Sequence, residues 1–244
     1  MENNFLKEYM DTHPSFTTQE FAEVMRIKSP NIASSTIYHT LNQLCASGSI
    51  TRSYKGHYIV ANKHNYYHPL SITATNVSSL IQKEFPLVDF QIWELTQMNE
   101  FVNHLIANNV IFVDVENMLD ESVFNFLFEN YPHVLFKPKI DEYYKYFRAD
   151  MIIVQKLMSE VPCSYGPYKQ SPLEKLLVDL FGRGLTQSII YHQEYRTIFE
   201  DSFEKYNVNI AKMFRYAKRR GIDKKVLNFI QEETIINLEV LTND

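Results

Sequence analysis

The sharpest chemical signal in this chain is the pair Asp114 and Glu116, two carboxylates at alternate positions at the end of the apolar run Phe112-Val113-Asp114-Val115-Glu116. Side chains two apart on a strand leave the same face, so such a pair can hold a divalent metal, as in nucleotidyltransferases and nucleases. Both chemistries need more than the pair. A nucleotidyltransferase requires a Gly-Ser loop upstream, and nothing before Asp114 supplies one. A restriction-type nuclease wants a lysine two residues beyond an acid, and the residue two beyond Glu116 is Met118. The pair is therefore read as a strand exit that caps the next helix. A metal-dependent nucleotidyltransferase or nuclease using Asp114 and Glu116 stands as the alternative.

Other candidates thin out in the same way. Glu174, Lys175 and Asp179 share a leucine-rich helical segment, where Glu174 suits a helix N-terminus and Asp179 can pair with Arg183 at i+4. The eight histidines form no His-x-x-x-His spacing, and no serine sits in a nucleophile elbow. Cys45 and Cys163 stand far apart, outside any metal or redox spacing, and read as small core residues. Lys218-Arg219-Arg220, with Lys224 and Lys225 beyond Gly221, suit either a solvated helix end that answers the helix dipole or a secondary phosphate contact. The expectation is a protein that is not an enzyme, with no catalytic residue, no metal and no cofactor.

Charge directs attention elsewhere. The formal net charge of -5 argues against a nucleic-acid partner only as an average. Glu23 is followed by no acid until Glu84, while the interval carries Arg26, Lys28, Arg52, Lys55, Lys63 and Lys83. The first 83 residues hold seven Lys or Arg against five Asp or Glu, so the negative charge belongs to the remainder. Such asymmetry implies that one part of the chain meets an acidic partner.

A chain of 244 residues, 45% apolar and 14% aromatic, is globular and long enough for two units. No apolar run reaches the roughly 18 residues that cross a bilayer, and the first residues lack a basic stretch followed by an apolar one. A cytoplasmic protein with no membrane partner is expected.

The elements of the basic segment follow from periodicity. Phe5, Leu6, Tyr9 and Met10 recur at helical spacing up to His13-Pro14. Thr17 and Glu20 have capping-box spacing and open a second helix with Phe21, Val24 and Met25 on its apolar side. Ser34 or Ser35 can cap a third helix carrying Ile37, Leu41 and Leu44 inward, with Gly48 as its C-cap. After Gly48 the period becomes alternating at Ile50, Arg52 and Tyr54, turns at Lys55-Gly56, and resumes at 57–60. Three helices and a hairpin over residues 1–62 predict a winged helix-turn-helix that binds double-stranded DNA. Ser34, Ser35, Thr36, His39, Thr40 and Gln43 are its groove-facing candidates; Arg52, Lys55 and His57 belong to the wing. Lys218, Arg219 and Arg220 are the possible secondary phosphate contacts.

Residues 63–70, ending near Pro69, read as a linker. Beyond it, short apolar runs at 71–75, 90–95, 110–115, 134–136 and 151–154 read as strands, and 99–108 and 121–129 as helices. The predicted fold is α+β: the winged helix-turn-helix, then a larger α/β domain over 71–244 with a mixed or parallel sheet, helical from about residue 171. Ser171 is placed as N-cap with Pro172 at the first helical position, and Leu173, Leu176, Leu177 and Leu180 face the core. Further helices are expected near 189–200, 208–220 and 224–241.

The segment Ser-Pro-Leu-Glu-Lys-Leu-Leu-Val-Asp-Leu at 171–180 resembles the AbiEi-type antitoxins of abortive-infection toxin-antitoxin systems. So do Trp93-Glu94-Leu95 through Phe101, the run 109–116, and the tail pattern 211–221 with Tyr216-Ala217 and Arg219-Arg220-Gly221. The resemblance implies a repressor of its own operon that counteracts a nucleotidyltransferase toxin encoded beside it, often without a stable complex. A monomer or weak homodimer is expected.

Overall fold

The computed structural model describes residues 2–46, 49–60, 65–182 and 185–238 and is an α+β fold of helices with two small sheets. The chain divides into two compact units, one of residues Met1–Tyr66, Phe203–Asn207 and Ile236–Asp244, the other of Tyr67–Ser202 and Val208–Ile235. The predicted Gly48 cap and the start of the 63–70 linker lie outside the described residues.

The first unit runs α1 (Glu2–Thr12), β1 (Ser15–Thr17), α2 (Thr18–Lys28), α3 (Ser34–Ala46), β2 (Ile50–Tyr54) and β3 (His57–Val60). β1 escapes the sequence reading because one apolar residue between two polar ones is too short a stretch to establish a period. It pairs antiparallel with β3, giving a sheet of order β1-β3-β2. Phe16 enters the core from β1, 5.4 Å from the Phe21 ring and 5.8 Å from Tyr58, and Ile37 and Leu41 close it from α3.

The capping box forms as predicted: the Glu20 N–H donates to Thr17 Oγ1 at 3.1 Å, and the Thr17 N–H donates to Glu20 Oε2 at 2.7 Å. That second bond holds the Glu20 carboxyl below the usual carboxylate range. Thr17→Ala is expected to cost about 1 kcal/mol, read as a lower urea midpoint at unchanged slope. α3 starts one residue earlier than either serine cap allows, so Ser34 and Ser35 occupy its first turn.

The second unit contains α4 (Ile72–Glu84), β4 (Phe90–Glu94), a 3₁₀ turn (Leu95–Glu100), β5 (Val110–Val115), α5 (Asp120–Asn130), β6 (Val134–Phe136), α6 (Ile140–Tyr146) and β7 (Met151–Lys156). From there it is helical: α7 (Leu173–Asp179), α8 (Leu185–Ile189), a 3₁₀ turn (His192–Glu194), α9 (Tyr195–Lys205), α10 (Ile210–Arg219) and α11 (Asp223–Glu233). α9 ends in residues that group with the first unit. The sheet order is β4-β5-β7-β6, antiparallel between β4 and β5 and parallel across β5, β7 and β6. It is therefore mixed.

The two faces of this sheet differ. Ile92, Val113 and Val154 join Val77 and Ile81 of α4 and Val123 and Leu127 of α5 in one apolar cluster. The alternate positions Gln91, Asp114 and Gln155 lie opposite one another across β4, β5 and β7, so a polar row crosses the other face. Beside it Trp93 stacks on Phe112 with ring centroids 4.2 Å apart.

Several expectations are corrected. Residues 71–75 open α4 rather than a strand. Their β-branched Ile72, Thr73 and Thr75 suggest extended backbone, but Ser71 accepts a hydrogen bond from the Ala74 N–H and Ala74, Val77 and Ile81 bury at helical spacing. Residues 99–108 are not a helix. Asn99 clasps Ile106 through both amide atoms, and Asn103 donates to Glu194, so side chains satisfy this backbone instead. Pro172, not Ser171, stands at the cap of α7: its ψ of 156° is extended, so the helix opens only at Leu173. α11 stops at Glu233, short of 241. Cys163 is exposed and Cys45 half-buried, so neither is a buried core residue.

Candidate functional site

α3 buries Ile37 and Leu41 and leaves Ser34, Ser35, Thr36, His39 and Gln43 exposed; Thr40 is half-buried and donates to the Thr36 carbonyl at 2.9 Å. Two residues that the sequence reading passed over join them. Tyr38 is 56% exposed, and Asn42 is exposed between His39 and Gln43. Residues 35, 39 and 42 recur at the i, i+4, i+7 spacing of one helical stripe, the signal that could have found Asn42. Asn42 is also a group able to make a bidentate contact to a base edge.

The hairpin adds positive charge. Arg52 is exposed on β2, opposite Tyr58 of β3; Lys55 is exposed at the turn, and His57 is half-buried where β3 begins. Gly56 takes φ +80°, a conformation that side chains with a Cβ disfavour, which is what lets the turn close so tightly. Its carbonyl accepts the Thr18 N–H at 2.7 Å and the Thr18 hydroxyl at 3.2 Å. The turn carrying Lys55 is thus tied to the first residue of α2.

Asp114 and Glu116 do not converge. Glu116 accepts the Asp89 N–H at 2.9 Å, tying the ends of β4 and β5 together. Asp114 is buried and accepts from Gln155 at 2.7 Å and from the Lys175 ammonium at 2.6 Å. Neither caps α5, whose first turn carries Asp120 and Glu121 instead. Among the described residues no group of three or more His, Cys, Asp or Glu side chains could hold a metal.

The Lys175 contact opens onto a larger cluster. Lys175, itself buried, also reaches Asp179 on the next turn of α7 at 2.8 Å. The other Asp179 oxygen accepts from the Tyr216 hydroxyl at 2.9 Å and from the Arg220 guanidinium. Arg183, the expected partner of Asp179, lies outside the described residues. Two acids and two bases thus share one buried site, with both oxygens of each carboxylate occupied. Burial works to discharge Lys175, but Asp114 and Asp179 outweigh it and hold the ammonium well above the ordinary lysine range. Burial pushes the Asp114 carboxyl up, against the pull of Lys175. A closed, charge-matched cluster of this kind fixes α7 and α10 against the sheet.

Of the three basic residues at the end of α10, only Lys218 and Arg219 are exposed; Arg220 is given over to Asp179, with Gly182 leaving room for its guanidinium. No helix among the described residues is long and apolar enough to cross a membrane. A family described as of unknown function, DUF6577, matches residues 36–236, from α3 onward. No curated protein matches the chain.

Proposed function

The chain belongs to the DUF6577 family of unknown function, and we propose that it is a DNA-binding transcriptional regulator whose first unit is a winged helix-turn-helix. The observation that carries this reading is the outward face of α3. It presents Ser35, Thr36, Tyr38, His39, Asn42 and Gln43 without one acid, and Arg52 and Lys55 stand on the hairpin that follows. Solvated helix faces ordinarily mix both signs of charge. Further support comes from topology. The order α1-β1-α2-α3-β2-β3, with β1 completing the sheet against β3, is that of winged helices, in which the third helix enters the major groove.

The finer proposal is an antitoxin that represses its own operon and counteracts a nucleotidyltransferase toxin, a reading supported by the resemblance at 93–101, 109–116, 171–180 and 211–221. The test is fluorescence anisotropy with a labelled duplex from the gene's own upstream region and a scrambled duplex of equal length. The expected result is preference for the upstream duplex and steep weakening with salt. Equal, negligible binding of both duplexes at low salt overturns the regulator. Failure of co-expression to rescue growth from the neighbouring gene product overturns the antitoxin alone.

A further inference from the structure

In the second unit, the chain leaves the two central parallel strands in opposite directions. From the carboxyl end of β5 it passes through α5 to β6, on the far side of β7. From the carboxyl end of β7 it runs back past Pro162 to the β4 edge, where the Ile92 N–H donates to the Lys169 carbonyl and the Ser171 N–H to the Ile92 carbonyl. Diverging connections from adjacent parallel strands open a crevice at their carboxyl ends, the position where open α/β sheets take up ligands.

A cavity of about 370 Å³ occupies that position, within the size range of small-molecule sites. Its walls include Asp89, Glu116, Asn117, Lys156, Ser159 and Arg219. Arg219 Nε donates to Ser159 Oγ at 2.6 Å, which steadies the guanidinium at the wall and leaves its terminal nitrogens without a partner among the described residues. The Lys156 ammonium is likewise unpaired among them. Glu160, in the wall, and Met118, next to Asn117, hold φ of 58° and 78°, left-handed conformations that cost a non-glycine residue energy and gather at ligand sites.

Two cations with uncommitted donors ask for an anion with several acceptor oxygens; the carboxylates of Asp89 and Glu116 ask for hydroxyl or amino donors on the same molecule. We propose that this crevice binds a small phosphorylated polyol of nucleotide size, its phosphate between Lys156 and Arg219 and its hydroxyl or amino groups on Asp89 and Glu116. The site lies wholly in the second unit and does not depend on α3 or the hairpin.

The experiment is isothermal titration of the full chain with ribose 5-phosphate, the four ribonucleoside 5′-monophosphates, unphosphorylated ribose and inorganic phosphate. At least one phosphorylated sugar binds, with ribose and inorganic phosphate each weaker by about tenfold or more. Lys156→Ala and Arg219→Ala each lower that affinity about tenfold or more, at unchanged melting temperature of the free protein. A duplex arm separates the source of phosphate. If the same variants weaken binding of a scrambled DNA duplex while no small phosphate ester binds, the cations serve a DNA backbone and the proposal is overturned. It is equally overturned if no probe binds at millimolar concentration, or if binding survives both substitutions.

Discussion

Lys175→Met is expected to destabilise the protein by about 3–5 kcal/mol near neutral pH, the largest effect of any single substitution outside the apolar core. Methionine matches the lysine stem in volume, so packing is largely kept and the change isolates the charge. What remains is Asp114 and Asp179 buried together, each with an oxygen that no longer has a donor, and only Arg220 to offset them. Burial alone already pushes Asp114 upward, and without Lys175 the folded-state pKa rises further above the unfolded value. A carboxyl whose folded pKa is raised penalises the folded state above that pKa, and the penalty fades as pH falls through it. The loss is therefore largest near neutral pH and shrinks as the solution is acidified. Urea unfolding followed by the fluorescence of Trp93, the sole tryptophan, which stacks on Phe112 in the same sheet, reads it directly. Adding Asp114→Asn to Lys175→Met recovers part of the stability. A loss below about 1 kcal/mol that does not vary with pH would show that the cluster contributes little.

The second large effect concerns DNA. Arg52→Ala with Lys55→Ala removes both cations of the β2–β3 hairpin, from the strand and from its turn, while Gly56 and its tie to Thr18 remain. Affinity for the upstream duplex is expected to fall about 10- to 100-fold at low salt. The slope of log affinity against log salt becomes shallower by about 2, roughly 0.9 for each phosphate no longer neutralised. Asn42→Ala behaves differently: it leaves the salt slope alone and narrows the preference for the upstream sequence, because a base-edge contact carries discrimination and a phosphate contact does not. Undiminished affinity in the double variant would place the backbone-contacting surface elsewhere.

Local signals were the legible ones. The Thr17–Glu20 spacing, the core faces of α2 and α3, and the strands at 90–94, 110–115, 134–136 and 151–156 each announce themselves within about ten residues. What escaped is either too short to show a period, as with β1 and α6, or locally misleading, as with the β-branched opening of α4. The charge cluster was hidden for another reason. Asp114, Gln155, Lys175, Asp179, Tyr216 and Arg220 come from four separated stretches, and i+4 logic offered Arg183 to Asp179 where tertiary structure supplies Arg220. Three of the segments behind the antitoxin resemblance, 109–116, 171–180 and 211–221, contribute to this one cluster. Their shared pattern is that of a buried electrostatic lock.

The composition of the first unit bears on the order of events during translation. Its leading segment ends at Tyr66, but the segments Phe203–Asn207 and Ile236–Asp244 also belong to it. At elongation rates of about 5–20 residues per second, roughly 7–27 s separate synthesis of Tyr66 from that of Phe203. For that interval the nascent helices and hairpin outside the ribosome lack part of their own unit. The proposed reading head is complete only after Phe203–Asn207 has been made, long after its own helices and hairpin.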